Sequence, residues 1–190
     1  MNIHSFYLYI YSFLCIFAIV NILIRSMKFK YYKFLIQKEA ADAKVVDTVT
    51  DFGMYEMSSS FYGGGTVKSV PKRQWYDQDG DDEYVMDKQY YEAYEMEVKF
   101  GFHNDFGTAN DAIEKFRDYL NAGMMKIYDS YNQVGRQHVR FEGISDDAGL
   151  IRHPNKGDLL IIKVKFKIND PVTDVNVEKD SDGNVTELKA

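Results

Sequence analysis

Polar and apolar positions alternate most strictly in the middle of the chain. Tyr94, Met96, Val98, Phe100 and Phe102 share one face of a stretch whose other face carries Glu95, Glu97 and Lys99. Alternation held over nine residues predicts a β-strand with one buried and one wet face. Residues 103–107 break the pattern, and Thr108 opens a helix. The Thr108 hydroxyl is expected to cap its first turn, with Asp111 near the positive helix end. Ala109, Ala112, Ile113, Phe116, Tyr119 and Leu120 then recur at three- and four-residue intervals, opposite Glu114, Lys115, Arg117 and Asp118. Gly123 sits where a left-handed residue would end the helix. The strand face and the helix stripe each need a partner, so they are expected to cover each other.

Weaker patterns flank this unit. Residues 29–36 and 45–49 read as strands, separated by a charged, turn-like or briefly helical 37–44. Asp51, Phe52 and Gly53 punctuate, residues 54–57 lead into three serines, and a long loop region covers 58–90. Residues 124–128 read as a strand, 129–135 as a turn, and 137–141 as a short strand with Val139 and Phe141 inward. A polar connection over 143–157 follows. The strand over 159–168 points Leu160, Ile162, Val164, Phe166 and Ile168 inward, with Lys163, Lys165 and Lys167 on its solvent face, and ends at Pro171. Residues 175–177 and 185–188 make a terminal β-hairpin around an Asp-Gly turn. The expected fold is α+β and mainly β: an antiparallel sheet or β-sandwich covered by one main helix (about 108–121), plus a C-terminal β-hairpin.

Composition changes this picture at the N-terminus. Residues 6–24 hold no charged side chain, close to the ~20 apolar residues that span hydrocarbon, and Arg25, Lys28 and Lys30 follow. Residues 1–26 are therefore either a transmembrane anchor, with the rest cytoplasmic by the positive-inside rule, or an extension upstream of a protein that starts at Met27. Residues 27–190 read as a single β-rich domain. The 15 tyrosines and 13 phenylalanines suit aromatic sheet faces and interfaces rather than a disordered chain. A net charge of −6 argues against a nucleic-acid reader. The lone Cys15 excludes an internal disulfide and a cysteine-based metal site.

Candidate chemistry is sparse. Gly63, Gly64 and Gly65 lack the spacing of a phosphate loop and read as a hairpin tip or mobile loop. Asp77, Asp79, Asp81 and Glu83 around Gly80 are candidate calcium ligands, since hard oxygens at alternate positions suit that ion. The spacing departs from an EF-hand because the glycine stands at the fourth position, and an acidic turn in a solvated loop is the simpler reading. His4, His103, His138 and His153 are scattered without metal-ligand spacing. No nucleophile elbow or dinucleotide fingerprint appears. No catalytic residue, cofactor or resident metal is expected.

The order of elements is more informative than any motif. A β-rich start leads to PKRQWYDQDGDDEYV, then YEAYEMEVKFGF, ANDAIEKFRDYLNAG, MMKIYDSYNQVGRQHVRF and LLIIKVKFKINDP. Over roughly residues 50–172 this resembles the ring-forming domain of phage distal tail proteins and related tail-tube, hub and baseplate components. It is similar to tail proteins of Bacteroidales phages and prophages. The resemblance implies a non-enzymatic virion component, assembled in the host cytoplasm as a homo-oligomer. A six-fold ring would touch other tail proteins and surround passing DNA without reading its sequence. Subunit contacts are expected at Gly63, Gly64, Gly65, Trp75 and Tyr76. The 190 residues show no counterpart of the large C-terminal carbohydrate-binding-like domain of many distal tail proteins, which leaves neck and tail-terminator roles open. The competing class is a single-pass membrane protein with a cytoplasmic ligand- or partner-binding domain. It involves the membrane only if residues 1–26 are translated.

Overall fold

The central strand and the last long strand form the spine of the sheet. In a computed structural model that describes residues 32–61, 65–145 and 149–190, β6 (Tyr94–Asn104) pairs antiparallel with β10 (Gly157–Ile168) over its whole length. The expected faces hold: Met96, Val98, Phe100, Phe102, Leu160, Ile162, Val164, Phe166 and Ile168 are buried. Around this pair run β1 (Phe34–Lys38), β2 (Val45–Asp47), β3 (Met54–Ser59), β7 (Met125–Asp129), β8 (Val134–Ile144) and β9 (Gly149–His153). They make one eight-stranded antiparallel sheet in the order β2-β1-β7-β8-β10-β6-β3, with β9 added to β10. The protein is mainly β, and the described part, Tyr32–Ala190, is one compact unit. The apolar run over residues 6–24 and the alternative start at Met27 lie outside the described residues. Among the described residues no helix is long and apolar enough to cross a membrane.

The sheet rolls up. β3 and β7 stand four strands apart, so about 19 Å would separate them in a flat sheet at ~4.8 Å per strand. Yet the Ser59 hydroxyl at the end of β3 donates to Asp129 at the end of β7 over 2.7 Å. Phe34 of β1 likewise meets Phe100 of β6 edge-to-face at 5.4 Å. Right-handed strand twist accumulates into this curl. No ladder joins β3 to β1 or β2, so side chains close the roll.

The main helix α2 (Ala109–Asn121) covers the concave side as expected. Its Phe116 ring lies 5.3 Å from Phe100 and 5.2 Å from Phe52, and Phe116 and Leu120 are fully buried. Gly123 adopts a φ of +68°, the left-handed value expected of it. The cap differs from the expectation. Thr108 makes no side-chain capping bond; its hydroxyl donates to the Asp105 carbonyl. The cap comes from β10: Asp158, 1% exposed, accepts from the Gly107 and Ala109 amides at 2.9 and 3.3 Å. At the other end Lys38 of β1 donates to the Leu120 carbonyl over 3.2 Å and stands 4.8 Å from the Tyr119 ring. Burial lowers that ammonium's pKa to about 8.

Other departures are local. The strand expected over 45–49 stops at Asp47, which caps the one-turn helix α1 (Thr48–Phe52) by accepting from the Val49 amide. β8 runs eleven residues rather than the five expected, through a bulge at which His138 takes a φ of +53°. The connection read as polar contains β9, which folds against β10 as a hairpin. The terminal hairpin does form, as β11 (Asn176–Lys179) and β12 (Val185–Lys189). It packs on the convex side of β1 and β7, where Val175 and Leu188 bury Leu35 beside Tyr128. β1 is therefore buried on both faces.

Candidate functional site

Between β3 and β6 the chain leaves the body as an arm. Its base is a short ladder: Glu92 donates to the Thr66 carbonyl and Lys68 to the Tyr90 carbonyl, both at 2.7 Å, flanking a bridge between Val67 and Tyr91. Farther out, Tyr84 donates to Pro71, and β4 (Lys72–Gln74) pairs with β5 (Asp81–Glu83). These two strands bond to each other and to no strand of the main sheet. Residues 75–80 turn the tip.

The tip is held by its own side chains. Lys72 forms an ion pair with Asp81 at 2.8 Å. That hydrogen bond raises the lysine pKa and lowers the aspartate's. The Trp75 indole donates to Asp82 at 2.8 Å, and the Arg73 guanidinium lies 3.6 Å from the ring centroid. Trp75 therefore stiffens the hairpin while remaining 41% exposed.

The arm has no core. From residue 66 to 93 every side chain is exposed except the half-buried Val70 and Met86. Tyr76 is fully exposed, and Tyr84, Val85, Tyr90 and Tyr91 are open to solvent. The arm thus displays aromatic and aliphatic groups that no core of its own covers.

The residues singled out in the sequence fall unevenly on this arm. Trp75 and Tyr76 stand at the start of the tip turn. Gly65 lies at the base, where a Cβ would come 2.8 Å from the Glu92 carbonyl oxygen, so glycine permits the close approach of the two arm strands. Gly63 and Gly64 lie outside the described residues. Asp77 and Asp79 are in the turn, Asp81 is engaged by Lys72, and Glu83 stands across the ladder from Lys72. Among the described residues no group of three or more His, Cys, Asp or Glu side chains is placed to hold a metal ion. His103, His138 and His153 stay apart: His103 contacts the Lys156 carbonyl, His153 accepts from Asn155, and His138 pairs with Glu39.

Sequence reasoning missed a polar cluster where the roll closes. Asp129 is fully buried and accepts from the Ser59 hydroxyl, the Tyr131 and Asn132 amides and the Asn132 side-chain amide. Half-buried Glu56 stands beside it. Burial first, and the Asp129 charge second, push the Glu56 pKa up to about 8. Its Oε2 is buried without a hydrogen-bond donor, as expected of a carboxylate facing another until a proton arrives. The spacing Asp129-x-x-Asn132 is an Asx-turn signal in the sequence, but nothing local marks it as buried. A depression of about 310 Å³ lined by Tyr32, Met57, Ser59 and Tyr131 opens beside Glu56.

The fold and the arm together define a rolled antiparallel sheet, covered by one helix and carrying a displayed aromatic projection. No family model matches the chain, and no curated protein matches it.

Proposed function

We propose that the protein is a structural subunit that assembles with copies of itself into a ring, in the manner of the phage tail components its sequence resembles. The observation that carries this reading is the arm: residues 66–93 stand outside any core, with their aromatic side chains turned to water. Ordering such a segment costs about 1–2 kcal/mol per residue in backbone entropy. A partner surface returns that cost by covering the aromatic groups. An arm on one surface that meets a different surface of the next copy is a heterologous contact, which closes into a ring when the rotation allows. The net charge of −6 suits a channel that lets DNA pass without holding it. On this reading the chain is a non-enzymatic virion component, placed in the tail, hub, baseplate or neck.

Native mass spectrometry and light scattering on the full chain, with negative-stain imaging, test this directly. The expected result is a closed assembly at a multiple of the 22.1 kDa chain mass, six-fold by the resemblance. A chain that stays monomeric across micromolar concentrations overturns the reading.

A further inference from the structure

We propose that the tip of the arm docks on a neighbouring copy, in the basic depression between β8 and β10 on the convex face of its sheet. This inference rests on the self-assembly reading and adds the surface that receives the arm.

The two surfaces are matched by what each leaves uncompensated. In a chain of net charge −6, the outward side chains of one patch run the other way. Lys99, Lys163, Lys165, Lys167 and Arg140 stand there against Glu95, Glu97 and Glu142, with Glu39 engaged by His138 at the margin. Glu97 serves both Lys163 and Lys165, at 3.5 and 3.6 Å, and Glu142 pairs with Arg140 at 2.7 Å. Lys99 and Lys167 have no carboxylate within ion-pair distance among the described residues. On the arm, Asp81 is engaged by Lys72 and Asp82 by Trp75. Asp77 and Asp79, at the tip, have no such partner among the described residues. The unpaired anions and unpaired cations thus sit on two different surfaces of one chain, the arrangement a head-to-tail contact requires.

Shape agrees with charge. Met124, 41% exposed, floors a depression of about 500 Å³ walled by His138, Arg140, Lys167 and Asn169. Tyr76, fully exposed and adjacent to Asp77, offers a ring to the methionine and to the alkyl stems of Arg140 and Lys167, while its hydroxyl stays near the polar rim. The bulge that turns His138 outward is braced from within the chain. Glu39 accepts from the His138 amide at 2.6 Å and contacts its ring at 2.9 Å, and Asn169 donates to the His138 carbonyl. The receiving wall is therefore rigid before the arm arrives.

Two full-length variants test the match, Asp77→Lys/Asp79→Lys on the arm and Arg140→Glu/Lys167→Glu on the face, where both basic side chains line the depression. All four positions are outside the buried core, and unchanged thermal unfolding checks that both variants fold. Light scattering should show each variant alone assembling about tenfold more weakly than the parent chain, because like charges now meet. An equimolar mixture should return assembly to within about twofold of the parent, since the reversed arm meets the reversed face and the two unaltered surfaces meet each other. Tyr76→Ala should weaken assembly yet keep the parent's sensitivity to raised ionic strength, because it removes an apolar contact and leaves the charge contact in place. If the variants dissociate and the mixture does not recover, the docking site is wrong while self-assembly stands. If both variants assemble like the parent, the docking site is likewise wrong. If the parent chain is itself monomeric, both readings fall.

Discussion

Glu56 is the side chain whose behaviour departs furthest from its sequence appearance. It lies on an edge strand between Tyr55 and Met57, yet burial and the Asp129 charge oppose its ionisation and push its pKa up to about 8. The folded form then binds a proton that the unfolded chain releases near the ordinary glutamate value of about 4.3. Stability from this group is therefore complete below about pH 4 and is lost as pH rises through about 8. Glu56→Gln keeps the shape and removes the titration. Urea unfolding at pH 8.5 should show the variant more stable by on the order of 1–2 kcal/mol, discounted from the full shift because the carboxyl is partly solvated. At pH 4 the two should nearly coincide. Parallel stability profiles across that range would remove the account of a Glu56 carboxyl kept protonated by burial and the Asp129 charge.

At the scale of the element, α2 is held at both ends by the sheet it covers. Asp158 reaches its positive end from β10, and Lys38 meets its negative end from β1. Each charge has the sign that the helix dipole favours. The helix thus ties two strands that are not neighbours in the sheet, which helps fix the roll. Asp158→Ala should cost about 1–2 kcal/mol, the usual loss of a cap, while Thr108→Ala should cost far less. Denaturation of the two variants side by side decides between the local cap and the distant one. Equal effects would mean that the Thr108 hydroxyl shares the capping role.

For the whole molecule, the C-terminal hairpin matters more than its small size suggests. It gives β1 its second cover by packing Val175 and Leu188 on Leu35. It is also tied to the body by the Leu188 amide bonding to Gln37 and Lys126 bonding to the Leu188 carbonyl. Leu188→Ala should destabilise the protein by about 2–4 kcal/mol. Hydrogen exchange should then quicken in β1 and β2 before the β6–β10 spine. Uniform loss of protection across the sheet would instead make the hairpin part of one cooperative core. The arm is the opposite case: removing its aromatic groups should leave folding stability nearly unchanged and alter assembly alone.

The elements that could be read from the sequence are those whose evidence is local. Period-2 alternation in β6 and β10, the stripe of α2 and the Asp-Gly turn of β11–β12 each record which side of one element is buried, so their existence and faces were legible. Periodicity does not record the partner. Leu35 and Tyr128 point away from the main core and are covered only because the hairpin returns there. Asp158 caps a helix 49 residues earlier, and β9 emerged from a polar stretch because β10 offered it an open edge. Trp75 and Tyr76 were legible as candidate anchors by residue type. That they stand on an arm clear of the core, and that Glu56 meets Asp129, depends on how the rolled sheet brings distant strands together. Local spacing carries no information about that geometry.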